Sequence, residues 1–204
     1  MAQPKTIVLA SSNPGKLREL AALLAPLGLE VAPQSRWGAR SADEPYLTFL
    51  ENALAKARHA ARETGLPALA DDSGICCDAL GGLPGARSAR FARDGASDEE
   101  NNSALARAMA GQANRRCRFA CVAVFALTPD DPLPIVAQGE WVGEFLDQPL
   151  GDGGFGYDPF FFDPKRGLTA AQMPMELKNV VSHRAQALAE LSSRLRERLG
   201  IGRK

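Results

Sequence analysis

The sequence predicts an α/β fold, an open sheet with helices packed on it. Three observations carry that expectation. Residues 6–10 are a continuous apolar run that ends in a short polar loop, after which Leu17, Leu20, Ala21 and Leu24 recur at helical spacing. Residues 66–70 form a second apolar run, followed at once by Asp71-Asp72-Ser73-Gly74. Carboxylates therefore stand at the carboxyl end of a strand, where open α/β sheets build their sites. Near its end the chain carries an amphipathic stretch, residues 182–199, with Arg184, Leu188, Leu191, Leu195 and Leu199 along one stripe.

The totals narrow the function classes. A chain of 204 residues makes one large domain or two small lobes. Lys+Arg and Asp+Glu both number 24, so the formal charge is zero. That argues against a protein that coats a nucleic-acid polymer or lies on a membrane surface, but a single nucleotide needs only a local basic pocket. No apolar run approaches the roughly 20 residues of a membrane span. The start is too short and too strand-like for a signal peptide, so the expected location is cytoplasmic. The four cysteines include an adjacent pair, Cys76 and Cys77, and there are only two histidines. This argues against a zinc, iron or copper centre and favours a hard, oxygen-bound ion such as Mg2+.

Taken in order, residues 6–10 read as a buried strand. Asn13 is a suitable N-cap and Pro14 suits the first helical position. Backbone N–H groups at that helix start, with Lys16 one turn in, suit a phosphate; a plain βα turn with a solvated lysine is the alternative. The loop is not a Walker A sequence, because Leu17 stands where Ser or Thr is required. Residues 27–32 look like a second strand, and the polar connection after them contains Asp43-Glu44. A long helix is expected over 47–64, with Leu47, Leu50, Leu54, Ala57 and Ala61 on its apolar face and Gly65 as its stop. Lys56 rides on it, where a solvated charge is the usual fate of a helical lysine.

After residues 66–70, Ser73-Gly74 reads as a turn, with a further strand over 75–80. The two adjacent aspartates repel one another and are costly without a cation; a divalent metal that also holds a phosphate neutralises them most simply. The alternative is an acidic turn facing water. Ser97 and Glu100 form a capping box that opens a helix reaching about Met109. Residues 118–127 and 134–145 are strand-like and joined by a short loop, a hairpin expected to form much of a second lobe. Residues 151–159 hold four glycines in six positions, interleaved with Phe155 and Tyr157, aromatics able to stack on a flat base. Phe160-Phe161-Phe162 returns to the core, and Thr169-Ala170-Ala171-Gln172 reads as another helix start. His183 and Arg184 then stand at a positive helix end, a poor place for cations unless something anionic or polar is held there.

These pieces together resemble the Ham1/RdgB-type inosine triphosphate pyrophosphatases. The resemblance rests on Ser11-Ser12-Asn13-Pro14-Gly15-Lys16, Glu44, Phe49-Leu50-Glu51-Asn52-Ala53 with Lys56, Asp71-Asp72-Ser73-Gly74, Phe155-Gly156-Tyr157-Asp158-Pro159 and Ser182-His183-Arg184, in order along nearly the whole chain. The departures, Ser11-Ser12 where many relatives carry Thr-Gly or Thr-Ser and Pro14 within the loop, keep the hydroxyl at Ser11. The resemblance implies an elongated, two-lobed mixed sheet flanked by helices, a single domain with the nucleotide in a cleft between lobes. It also implies a homodimer. The implied reaction is hydrolysis of ITP, dITP or XTP to the monophosphate and pyrophosphate, which cleanses the nucleotide pool of deaminated purines.

On that basis Ser11, Ser12, Asn13, Pro14, Gly15 and Lys16 hold the triphosphate, with Lys56 as a second cation. Glu44 and Asp72 are the expected Mg2+ ligands, directly or through water, and Asp72 is the expected general base; Asp71 supports this geometry and Ser73 touches the nucleotide. Phe155, with Gly156 and Tyr157 in the same loop, takes the base, and Asp158, Lys178, His183 and Arg184 read its edge. Donors from Lys178, His183 or Arg184 suit the C6 oxygen of hypoxanthine or xanthine and leave the amino group of adenine facing N–H groups. The rival expectations are a Maf-like nucleotide pyrophosphatase, which lacks the Phe-Gly-Tyr-Asp and Ser-His-Arg elements, and a non-catalytic nucleotide sensor.

Overall fold

The structure, a computed structural model, describes residues 5–11 and 14–200, apart from the side chains of Pro14, Glu19 and Leu23. Parallel strands β1 (Thr6–Leu9) and β2 (Glu30–Pro33) are joined through α1 (Pro14–Leu24), and Thr6 pairs with Glu30 and Leu9 with Pro33. A 3-10 turn, Ala25–Leu27, ends at Gly28 with φ 70°, so β2 starts later than its hydrophobic pattern suggests. Then come α2 (Phe49–Thr64), β3 (Ala68–Cys77), α3 (Asp98–Met109), β4 (Arg116–Ala126), β5 (Ile135–Phe145), β6 (Phe161–Asp163), β7 (Leu168–Thr169), α4 (Met175–Val181) and α5 (His183–Leu199). The seven strands make one sheet in the order β2-β1-β3-β4-β5-β6-β7. It is mixed: β1 pairs in parallel with β2 and β3, and β6 pairs antiparallel with β5 and β7.

The chain forms two compact units. The first comprises Met1–Asp72, Val122–Gln138 and Ala187–Lys204, and the second Ser73–Cys121 and Gly139–Gln186. Strands β3, β4 and β5 each give residues to both. The larger part of the hairpin β4–β5, Arg116–Cys121 and Gly139–Phe145, falls in the second unit, and the remainder in the first. Its alternation allows this: every second residue of β5 from Ile135 to Phe145 is buried, so each half can supply a core face.

The first unit packs small residues. Ala53, Ala57, Ala60 and Ala61 of α2 are fully buried with Val8, Ala68, Ala70 and Val124. The expected helix face is corrected here: Leu47 is 84% exposed and precedes the helix, whose N-cap is Thr48, and Leu50 is also exposed. Alanines at i, i+4, i+7 and i+8 let the helix lie close to the strands, and the same face brings Asn52 and Lys56 inside. In this unit Asp131 accepts hydrogen bonds from the backbone N–H of Leu127 and Leu133 and pairs with Arg198 of α5. Burial pushes its carboxyl up, but these donors outweigh burial and hold it below the usual carboxylate range.

The second unit packs aromatic and sulfur-containing residues: Phe119, Trp141, Phe145, Tyr157 and Phe161 with Met109, Met173, Cys77 and Cys117. Cys77, Cys117 and Cys121 are buried, and burial pushes the Cys77 thiol up to about 12, as befits an inert core residue. Thr169-Ala170-Ala171-Gln172 is not a helix start. The reciprocal bonds of a capping box are present, Thr169 N–H to Gln172 Oε1 and Gln172 N–H to Thr169 Oγ1, but they close a turn. Pro174 comes two residues later, disfavours helical backbone at Met173, and is itself the residue before α4.

The largest correction concerns β3. The chain does not turn at Ser73-Gly74 but runs extended from Ala68 to Cys77, ending in a 3-10 turn, Asp78–Leu80. Gly74 is there because of a close approach. A Cβ on it would lie 2.3 Å from Ser88 Oγ and 2.5 Å from the Gly85 carbonyl oxygen. Ser88 Oγ accepts from the Ile75 N–H at 2.9 Å and donates to that same Gly85 carbonyl at 2.7 Å. Gly74→Ala is therefore expected to destabilise the protein by about 1–3 kcal/mol, a fall of several degrees in Tm by calorimetry. Adding Ser88→Gly is expected to recover only part of the loss, since the backbone oxygen stays in the way.

Candidate active site

Because β3 continues through Asp71 and Asp72, their side chains leave the strand on opposite faces. Asp71 meets Lys16 of α1, with Nζ 2.8 Å from Oδ2. Asp72 meets α2: Lys56 Nζ lies 3.3 Å from Oδ1, and Asn52 Nδ2 donates to Oδ2 at 3.1 Å. Lys56 Nζ also donates to Glu44 Oε1 at 2.7 Å. Both aspartates are buried, and Lys56 is only 9% exposed.

Glu44, Lys56 and Asp72 are thereby brought together from a loop, a helix and a strand. Burial lowers the Lys56 ammonium, but Asp72, Glu44 and Asp71 more than reverse this and hold it above its ordinary value. At Asp72 burial pushes the carboxyl up, with Glu44 adding to the rise, and Lys56 and Asn52 offset only part of it. A carboxylate lifted towards neutrality is a better proton acceptor than one in water.

Asn52 is the residue that sequence reasoning missed. It stands in the run after Phe49 and carries no role on sequence grounds. Fully buried, it accepts from the Tyr46 N–H, donates to the Tyr46 carbonyl and donates to Asp72. A polar residue four positions before Lys56 on a buried helix face was the signal that could have found it.

In the same unit Gly15 and Lys16 lie in the first turn of α1, and Ser11 lies just before it, half-buried. Ser12 and Asn13 lie outside the described residues, as does the Pro14 side chain.

The second unit holds the remaining candidates. Phe155 is 62% exposed, an unusual state for a phenylalanine in a well-packed unit. Its own N–H donates to Asp158 Oδ2 at 2.9 Å, and Lys178 Nζ reaches the same oxygen at 2.5 Å. Gly154, with φ 77°, makes room for this, since a Cβ there would overlap the Asp158 carboxylate. Lys178 Nζ lies 5.4 Å and the Arg184 guanidinium carbon 5.9 Å from the Phe155 ring centroid. Arg184 also makes a long 3.5 Å contact with Ser73 Oγ. Phe155, Asp158, Lys178, Arg184 and Ser73 are thus neighbours.

Two expected residues stand differently. The Tyr157 ring is in the core, 6% exposed, and its hydroxyl donates to the Ser88 carbonyl at 2.8 Å. Burial drives its phenol well above the usual range, and the ring is not available to stack on a base. The His183 ring stacks on Phe119, centroids 4.9 Å apart and planes at 17°, so one face is covered by the core. Ser182 explains the helix start beside it: its Oγ accepts from the Ala185 N–H at 3.2 Å and caps α5.

The class is that of an open, mixed α/β sheet flanked by helices. The Ham1 family model matches residues 7–194, and the chain belongs to that family. A dITP/XTP pyrophosphatase of Ralstonia nicotianae is 60% identical over 195 residues, covering 94% of this chain and 97% of the relative. One from Neisseria meningitidis serogroup B is 56% identical, covering 95% and 98%. Among solved structures, a HAM1 protein from Coxiella burnetii superposes with a TM-score of 0.91 at 44% identity, covering 94% of this chain and 98% of that one. The described residues contain no helix long and apolar enough to cross a membrane.

Proposed function

We propose that this protein hydrolyses ITP, dITP and XTP to the monophosphate and pyrophosphate, and so removes deaminated purines from the nucleotide pool. The group Glu44–Lys56–Asp72 carries the reading: two buried or half-buried carboxylates converge on one cation position. Relatives named dITP/XTP pyrophosphatase, 55–60% identical over at least 92% of their own length, support the substrate class.

In this reading Ser11, Ser12, Asn13, Pro14, Gly15 and Lys16 bind the triphosphate at the start of α1, with Lys56 adding charge. Asp72 takes the proton of the attacking water as the α–β anhydride bond breaks and pyrophosphate leaves. Asn52 holds the Asp72 carboxylate in place, and Asp71 acts through Lys16. The donor set fits Mg2+: the oxygens are hard, and Lys56 marks a place where Glu44 and Asp72 already tolerate a cation. The described residues contain no cluster of three acidic, histidine or cysteine ligands, but Mg2+ held with substrate phosphates needs only one or two carboxylates. When bound, the ion would supply charge neutralisation on the phosphates and a lowered pKa for water.

Phe155 stacks on the purine, Ser73 touches the nucleotide, and Lys178, Asp158, His183 and Arg184 meet the base edge. Gly156 and Tyr157 contribute through the backbone. The protein acts as a cytoplasmic homodimer. The decisive experiment measures pyrophosphate release from ITP, XTP, dTTP, UTP and ATP, with Mg2+ and with chelator. Release from ITP and XTP at least about tenfold above ATP, abolished by chelator, is expected. Preference for the pyrimidines would favour a Maf-like enzyme, and no release from any nucleotide a sensor.

A further inference from the structure

An exposed aromatic ring makes a useful platform only if its backbone is held, because a free ring loses rotamer and loop freedom on binding. The Phe155 loop is held from an unexpected quarter. Asp98 and Asn102 are four residues apart on α3, hence on one face of its first turns. Asp98 Oδ2 accepts from the Gly156 N–H at 2.7 Å, and Asn102 Nδ2 donates to the Gly156 carbonyl at 2.9 Å. One glycine thus has both polar backbone groups taken by α3.

Gly156 has φ 57°, a conformation that suits glycine, and it separates exposed Phe155 from buried Tyr157. The preceding N–H, that of Phe155, is taken by Asp158. The helix supplying the two side chains is itself firmly started. Ser97 and Glu100 exchange both bonds of a capping box, and Arg93 binds Glu100 with two nitrogens. Asn102 Oδ1 is buried without a hydrogen-bond partner among the described residues, so its amide is oriented by the Gly156 carbonyl.

We propose that Asp98 and Asn102 are positioning residues for base recognition: they clamp Gly156 and thereby pre-set the Phe155 ring for a flat purine. This rests on the reading that Phe155 stacks on the base. Loss of the clamp leaves the phosphate and proton-transfer groups untouched. It should therefore raise KM for ITP and leave kcat nearly unchanged.

The test uses the full chain with Asp98→Ala, Asn102→Ala, the double variant, Asp98→Asn and Phe155→Ala. The double variant should raise KM for ITP about tenfold with kcat within about twofold, given the modest net worth of each hydrogen bond. Asp98→Asn, which keeps an acceptor oxygen for the Gly156 N–H, should retain near-native KM. In a Phe155→Ala background, itself raised about 10–100-fold in KM, removing the clamp should add no further rise. A clamp loss that lowers kcat as much as it raises KM, or that adds fully to Phe155→Ala, overturns the proposal. Unchanged KM in the double variant beside a raised KM in Phe155→Ala also overturns it. Unchanged KM in Phe155→Ala instead removes the stacking reading beneath it. Should the double variant not fold, the comparison of Asn102→Ala with Asp98→Asn decides by the same KM split.

Discussion

Asp72→Asn is expected to bind ITP and to release pyrophosphate at least about 100-fold more slowly than the native protein at saturating nucleotide and Mg2+. The substitution is isosteric and leaves β3 intact. It removes the proton acceptor and one negative oxygen from the position that Lys56 and Asn52 address. The new amide can offer its oxygen to only one of these donors, and its NH2 group then faces the other. A stability loss of about 1 kcal/mol is the expected side effect. Turnover should thus fall far more than folding or affinity. Titration calorimetry with ITP and a pyrophosphate-release assay separate the two, and turnover within tenfold of native would remove Asp72 from the role of base.

Lys56→Met should cost about 3 kcal/mol of stability at pH 7 with chelator present, measured by urea unfolding. Methionine keeps the stem's length and apolar contacts but leaves Asp72 buried without its cation. The figure sits at the low end for a broken buried pair because the Glu44 side chain is 32% exposed and water can solvate it. The pH dependence is set by the direction of the shifts. Asp72 already lies above the ordinary carboxylate range in the native protein, and removing Lys56 raises it further. A carboxyl raised on folding contributes stability that is present below its unfolded pKa and is lost as pH rises through the folded one. The deficit of Lys56→Met should therefore be largest at neutral pH and shrink as the pH falls through the carboxylate range and the carboxyl becomes protonated. A deficit independent of pH, or one below about 1 kcal/mol, would show that the ammonium does not compensate these acids.

The capping box at Ser97 and Glu100 was legible in the sequence because its geometry is local, and the structure forms both of its bonds. The same local pattern at Thr169 and Gln172 formed the same bonds without a helix, since Pro174 keeps the backbone before it out of helical geometry. On the expected apolar face of α2, Leu54, Ala57 and Ala61 pack inward, but Leu47 and Leu50 were misplaced because leucines outweigh alanines in any hydrophobic pattern. Burial there is set by how closely the helix approaches the sheet, and close approach selects alanine. Ser73-Gly74 was misread as a turn because glycine marks both turns and close approaches, and only the position of Ser88 tells them apart.

By itself the sequence determined the chemical inventory and its order: the acids, the lysines, the glycine-rich aromatic loop and the capped final helix, with the family they mark. Those are properties of residue type and spacing. Only the tertiary structure decided the pairing. Continuous β3 sends Asp71 to Lys16 and Asp72 to Lys56 and Asn52, because neighbouring side chains on a strand must diverge. It also buried Tyr157 while leaving Phe155 exposed, and set Asp98 and Asn102 against Gly156 across more than 50 residues of chain. Contacts of that range depend on where whole elements pack, which no local spacing encodes.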